Sequence, residues 1–183
     1  MAYSLQLVAF FIDLAKKYMS RNYILDKETV ARKLQRMAYE IVENNLDEKE
    51  IILAGIRENG SVIARNIEQL LHSINSNIKI WNIEIALDKK APHDIKLSGE
   101  TDFTDKVIIV VDDVANSGRT MLYAIKPFLA YLPKKIQTLA LVERTHKAYP
   151  VNTDYVGLSV ATTLQEHIFV EVEGDSVKGA YME

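Results

Sequence analysis

"VIIVVDDVANSGRTMLYAI", Val107 to Ile125, decides how the rest of the chain is read. An apolar, β-branched run from Val107 to Val111 meets two adjacent carboxylates, Asp112 and Asp113. A short polar segment follows, Asn116-Ser117-Gly118-Arg119-Thr120, and then a pattern of helical spacing. Strand, polar bend and helix start in that order predict a buried strand over Lys106–Val111 and a helix over Gly118–Leu132. In an open parallel sheet the bend between such elements lies beyond the carboxyl end of the strand, where ligands bind.

Working outward, the same alternation repeats. "EIILAGI" (Glu50 to Ile56) reads as a buried strand, Ser61 to Ile74 as a helix and "IKIWNIEIAL" (Ile78 to Leu87) as a strand with one covered face. Ile136 to Val142 is a further strand, and a helix begins after the N-cap Asp26 and runs to about Asn45. Residues Asp88 to Asp105 form a loop long enough to act as a lid. "DYVGLSV", "HIFVEV" and "VKGAYM" are short strand candidates near the C-terminus. The expected class is α/β, a central and mainly parallel sheet flanked by helices with a small C-terminal β appendage, in one domain over 1–183. Residues 1–21 read as an extra amphipathic helix, with Leu5, Val8, Phe11, Ile12, Ala15 and Met19 at helical spacing.

Composition removes several function classes. The 183 residues carry a net charge of -3 and no cysteine, which excludes thiol chemistry and thiolate zinc sites and argues against a chain-wide nucleic-acid footprint. His72, His93, His146 and His167 are scattered without ligand spacing. The first helix lacks a basic leader and is interrupted by Asp13, so it is not a signal peptide, and no apolar run is long enough to span a bilayer. A cytoplasmic protein is expected.

The bend after Asp113 offers backbone N–H groups, hydroxyls and a guanidinium at a helix start, a combination suited to a phosphate dianion. Two carboxylates beside it would repel that anion unless they served another part of the ligand. Vicinal sugar hydroxyls or a Mg²⁺ ion are the natural partners, so the chemistry points to a phosphorylated sugar.

"VVDDVANSGRT" resembles the phosphoribosyl-pyrophosphate signature of type I phosphoribosyltransferases. "YILDKETVARKLQRMAYEIVENN", "ILAGIRENGSVIARNI" and "LALVERTHKAYPVNTDYVGLSVAT" resemble, in order and spacing, the branch of bacterial pyrimidine operon attenuators that double as uracil phosphoribosyltransferases. The resemblance covers Asn22 to the C-terminus. It implies the type I fold with a C-terminal hood, and transfer of phosphoribose from phosphoribosyl pyrophosphate to a nucleobase, uracil giving UMP in salvage. It implies that Asp112 and Asp113 hold the ribose hydroxyls and, directly or through water, Mg²⁺. Asn116, Ser117, Gly118, Arg119 and Thr120 would cradle the 5-phosphate. Gly55-Ile56-Arg57 would touch pyrophosphate, often through a cis peptide in such enzymes. The segment around Val160 would present backbone groups to the base, and the lid from Asp88 would bring Lys89 (or Lys90) to the reacting centre. A homodimer or higher homo-oligomer is implied as well.

Some positions depart from that pattern. The pyrophosphate loop reads "GIRENG" where the family has Gly-Ile-Lys-Thr-Arg-Gly, so Asn59 replaces an Arg and Glu58 adds a carboxylate. Like charges ~4 Å apart cost on the order of 4 kcal/mol at an effective dielectric near ~20. Purine members usually place an Asp where Asn116 stands, and Asn cannot accept the purine proton. Gln35, Tyr39, Asn44 and Asn152 occupy positions where the attenuators carry RNA-binding residues, while His146 and Lys147 remain, which disfavours the same RNA target. Arg32, Lys33 and Arg36 read as a solvated helix face or a substitute patch. The competing readings are an RNA-binding regulator sensing nucleotides in this pocket, and a purine-type transferase or degenerate sugar-phosphate-binding module.

Overall fold

In the computed structural model, which describes residues 21–99, 102–163 and 166–183, the opening stretch lies at the centre of a six-stranded sheet. Its strands are β2 (Glu50–Ile56), β3 (Lys79–Ala86), β4 (Lys96–Leu97), β5 (Val107–Ala115), β6 (Lys135–Arg144) and β7 (Tyr155–Val160), in the order β4-β3-β2-β5-β6-β7. All neighbours pair in parallel except β4, which runs antiparallel to β3. β5 is clamped on both sides, with Ala54 opposite Val110 and Val111 opposite Leu139. A strand covered on both faces needs an unbroken apolar run, which is why Val107–Val111 has no polar alternation.

The two faces carry separate cores. Ile51, Leu53, Ile109, Val111 and Leu141 pack under α1 (Lys27–Asn44) and α2 (Asn59–Ile74), which contribute Leu34, Met37, Ile41, Ile63 and Ile67. Ile52, Ala54, Ile108 and Val110 face α3 (Arg119–Ile125), with Met121, Ala124, Phe103 and Phe128. Asp26 caps α1 as expected, its Oδ1 accepting the Thr29 N–H at 2.7 Å.

Four expectations need correction. The strand expected to stop at Val111 continues to Ala115, so Asp112 and Asp113 sit within its last turn of pleat. The helix expected to reach Leu132 stops at Ile125, and Lys126–Ala130 is a 3-10 turn. Pro127 has no N–H to continue the α pattern. The lid loop contains β4, with Leu97 paired to Ile85. Among the described residues every peptide bond is trans, including those of Gly55-Ile56-Arg57; the unusual backbone there is Glu58 at φ 74°.

The appendage is a three-stranded antiparallel sheet, ordered β1-β9-β8, from β1 (Asn22–Leu25), β8 (Ile168–Glu173) and β9 (Ser176–Met182). β1 is a strand that its short span does not announce in the sequence. It joins residues from both halves of the chain into one hood. The expected N-terminal helix lies, apart from Arg21, outside the described residues. Among the described residues no helix is long and apolar enough to cross a membrane.

Candidate active site

The carboxyl end of β5 presents Asp112 and Asp113 together with a lysine. Lys89 Nζ stands 3.1 Å from Asp112 Oδ1 and 3.3 Å from Asp113 Oδ1, so the lid expected after Asp88 does reach the carboxylates. Asp112 is 2% exposed. Burial, with the Asp113 charge beside it, pushes its carboxyl up to about 8 against the opposing pull of Lys89. Asp113 is buried too, but the Lys89 ammonium and hydrogen bonds from Asp112, Asn59 and Lys89 outweigh that burial and hold it below its ordinary value. Burial would lower Lys89, yet the two carboxylates keep it raised. Of the two carboxyls, Asp112 is the one that burial inclines to hold a proton, while the Lys89 ammonium favours the ionised form of Asp113.

Asn59, at the start of α2, was not expected to contribute. Its Nδ2 donates to Asp113 Oδ2 at 2.8 Å and to the Val170 carbonyl of β8 at 3.1 Å. One amide thus joins β5 to the hood. The residue type that looks like a lost arginine is the donor that orients Asp113.

The bend from Asn116 to Thr120 is braced from below. The Ser117 carbonyl accepts the N–H groups of Ala148 and Tyr149, each at 3.0 Å. Gly118 takes φ +82°, and a Cβ there would lie 3.2 Å from the Tyr149 carbonyl. The left-handed turn and the close strand of backbone both call for glycine. Ser117 Oγ accepts the Arg119 N–H at 3.4 Å, and Arg119 Nη2 donates to the Lys89 carbonyl at 3.0 Å, tying lid to bend. Between Asp112 and Met121 the bend encloses a hollow of about 30 Å³. It opens beside a wider cleft of about 610 Å³ lined by Asn116, Ser117, Arg144, His146, Thr162 and Thr163.

Not every expected residue joins this group. Arg57 is exposed, its N–H donating to the Ile85 carbonyl and its Nε 3.8 Å from Glu84 Oε2, over a separate hollow at the β3–β4 edge. Glu58 is exposed. Val160 ends β7, and its carbonyl accepts the Thr145 N–H at 3.1 Å, so one of its backbone groups is already engaged. Arg144, passed over in the sequence, reaches Asn116 Oδ1 at 2.9 Å and the Thr163 carbonyl at 2.6 Å. Its position at the end of a strand beside the signature strand is the signal that marks it.

On α1, Arg32 pairs with Glu28 at 2.7 Å, and Arg36 is held by Glu40 and the Val156 carbonyl. Lys147 is mostly buried, 3.3 Å from Glu143 Oε2 in an ion pair that lacks hydrogen-bond geometry. Arg32 and Arg36 thus have hydrogen-bond partners within the chain, while Lys147 has an ion-pair partner only.

Residues 20–175 match the family described as phosphoribosyl transferase domain. The Bifunctional protein PyrR of Streptococcus pneumoniae (strain CGSP14) is 37% identical over 161 residues, which cover 84% of this chain and 91% of that protein. Among solved structures, the hypoxanthine phosphoribosyltransferase of Trypanosoma cruzi superposes with a TM-score of 0.72 at 13% identity, covering 88% of this chain and 97% of that one. A hypoxanthine-guanine phosphoribosyltransferase from Bacillus anthracis gives 0.70 at 18% identity, covering 87% and 96%. At these identities the structural likenesses establish the fold.

Proposed function

The chain belongs to the phosphoribosyl transferase domain family, and from that premise we propose that it transfers phosphoribose from phosphoribosyl pyrophosphate to a nucleobase, uracil yielding UMP. The observation that carries the reading is the paired Asp112 and Asp113 set directly against the tight bend of Asn116 to Thr120. An acid pair suits a vicinal diol and the bend suits the phosphate on the same sugar. Either carboxyl can accept a hydrogen bond from a sugar hydroxyl, and Asp112, when it holds a proton, can also donate one. Backbone N–H groups and hydroxyls of the bend from Asn116 to Thr120, with the Arg119 guanidinium, take the phosphate.

In the reaction a base nitrogen attacks C1 of the sugar, the C1–O bond to pyrophosphate breaks, and the base loses a proton. Positive charge grows on the sugar ring, and the ionised Asp113 lies where it would stabilise that charge. Lys89 stands beside the same carboxylates and would supply the cation that meets the departing pyrophosphate. Its link to Arg119 ties the lid loop to the bend, and closure of that loop over the substrate would shield an electrophilic carbon from water.

The residues present suit Mg²⁺. Asp112 and Asp113 form a desolvated acid pair that already draws an ammonium. Among the described residues no three acidic or imidazole groups gather, so substrate phosphates and water would complete the shell, as that ion prefers. When bound it would supply charge for the leaving group. The same proposal takes the chain as one transferase domain that assembles as a homo-oligomer.

Uracil is supported by the likeness of the flanking segments to the pyrimidine branch. An RNA role draws no support from α1, whose arginines are engaged internally. Pyrophosphate release from phosphoribosyl pyrophosphate should be stimulated by uracil in a panel with hypoxanthine, guanine, xanthine and orotate. Release driven by hypoxanthine or guanine alone, or by no base, would overturn the assignment.

A further inference from the structure

We propose that Asn116, locked in one orientation by Arg144, reads the base and selects a ring edge bearing an oxo group over one bearing an amino group. The inference rests on the transferase reading and deepens it.

Arg144 closes β6 with its guanidinium between two loops, Nη1 on Asn116 Oδ1 and Nη2 on the Thr163 carbonyl. A guanidinium only donates hydrogen bonds, so the amide atom that faces it must be the oxygen. The hydrogen-bonding group left to Asn116 is then its –NH₂, a pure donor. Without Arg144 the amide could turn over and offer either end; with it, the choice is removed. Arg144 is in this sense a positioning residue.

The location of the amide gives that donor its target. Asn116 and Ser117 line both the small hollow of the bend and the 610 Å³ cleft beside it. A nucleotide with its phosphate in the hollow and its base in the adjoining cleft would pass Asn116, which is exposed and lines both. An oxo group offers lone pairs to an N–H donor. An amino group would set donor against donor and leave both unpaired, and a polar site built for one partner rejects the other strongly. A carboxylate at position 116 would instead pair with Arg144 and present an acceptor, which inverts the preference.

Calorimetric titration of the full chain with UMP, CMP and ribose 5-phosphate tests this, since the two nucleotides share a shape and differ in the oxo-for-amino exchange and the N3 proton that goes with it, and substitution at Asn116 isolates the part this residue reads. Wild-type protein should bind UMP about tenfold or more tightly than CMP. Asn116→Asp should erase or reverse that ratio, Arg144→Met should narrow it, and Arg144→Lys, which keeps a donor, should restore most of it. Ribose 5-phosphate gauges the sugar-phosphate site alone. If it binds while the UMP-to-CMP ratio is near one in the wild type, or is unmoved by Asn116→Asp, Asn116 is only a loop brace and the inference fails by itself. If it does not bind, the transferase reading falls and takes this inference with it.

Discussion

Lys89 and Asp112 are bound to each other across the mouth of the site, Nζ to Oδ1 at 3.1 Å, although they lie 23 residues apart. The oxygen that Lys89 holds is one that a sugar hydroxyl or metal ion would need. The lysine therefore acts as a counter-ion for the acid pair and must yield its place when ligand arrives. Lys89→Met should make the carboxylates easier for a cation to occupy. Half-saturating Mg²⁺ is expected to fall severalfold, while turnover drops about tenfold or more because a charge near the leaving group is gone. Steady-state kinetics over a Mg²⁺ series reads both quantities, and a variant that moves neither removes Lys89 from the mechanism.

The buried Asp112 should govern how stability varies with pH. Its folded carboxyl titrates near 8, above an ordinary value of 3.8, so between those limits the folded chain holds a proton that the unfolded chain has released. Stability is then greatest at the acidic side of that window and falls as pH rises through about 8. Asp112→Asn keeps the shape and removes the ionisation. In the absence of ligand its Tm should exceed that of the wild type at pH 8, with a flatter profile, while transferase activity is lost. Thermal melts from pH 5 to 8 decide the matter; parallel profiles for the two proteins would contradict it.

Much of this site is legible in the sequence because its parts are local. Asp112, Asp113 and the bend to Thr120 are contiguous, and the switch from β-run to helical spacing fixes where they stand. Lys89 can be placed by composition, since a charged loop follows a strand that ends at the same edge of the sheet. Asn59 and Arg144 are not legible in that way. Each gains its role through a partner far along the chain, Asp113 for one and Asn116 for the other, and neither distance leaves a periodicity to read. β1 is hidden for the same reason, as four residues become a strand only by pairing with β9. The helix expected through Leu132 ends at Ile125 for a local reason: the apolar pattern runs on past Pro127, but the proline's missing N–H breaks the α ladder.

The Asn59 bridge predicts a linked loss of stability and catalysis. Asn59→Leu removes both donors, leaving Val170 with an unsatisfied carbonyl and Asp113 without the contact that helps keep it ionised. A destabilisation of about 1–3 kcal/mol is expected in denaturant unfolding. The acidic limb of the pH profile of kcat/KM should move upward, since Asp113 will titrate later. A variant that is less stable but has an unmoved acidic limb would confine Asn59 to holding the hood.

Gly60 sets how closely α2 approaches β5. A Cβ at that position would lie 2.6 Å from the Val111 carbonyl and 3.3 Å from the Asp112 Cα, contacts with backbone that no rotamer change can relieve. Gly60→Ala must therefore push α2 and β5 apart, at a cost of about 1–3 kcal/mol. The displacement falls on the residue that carries the buried carboxyl, so kcat/KM should drop more than the stability loss alone explains, at a temperature where the variant remains folded. Gly99→Ala, which meets nothing within 4 Å, serves as the control and should leave both quantities unchanged. Full activity in a folded Gly60→Ala protein would show that the spacing of α2 from β5 does not position Asp112.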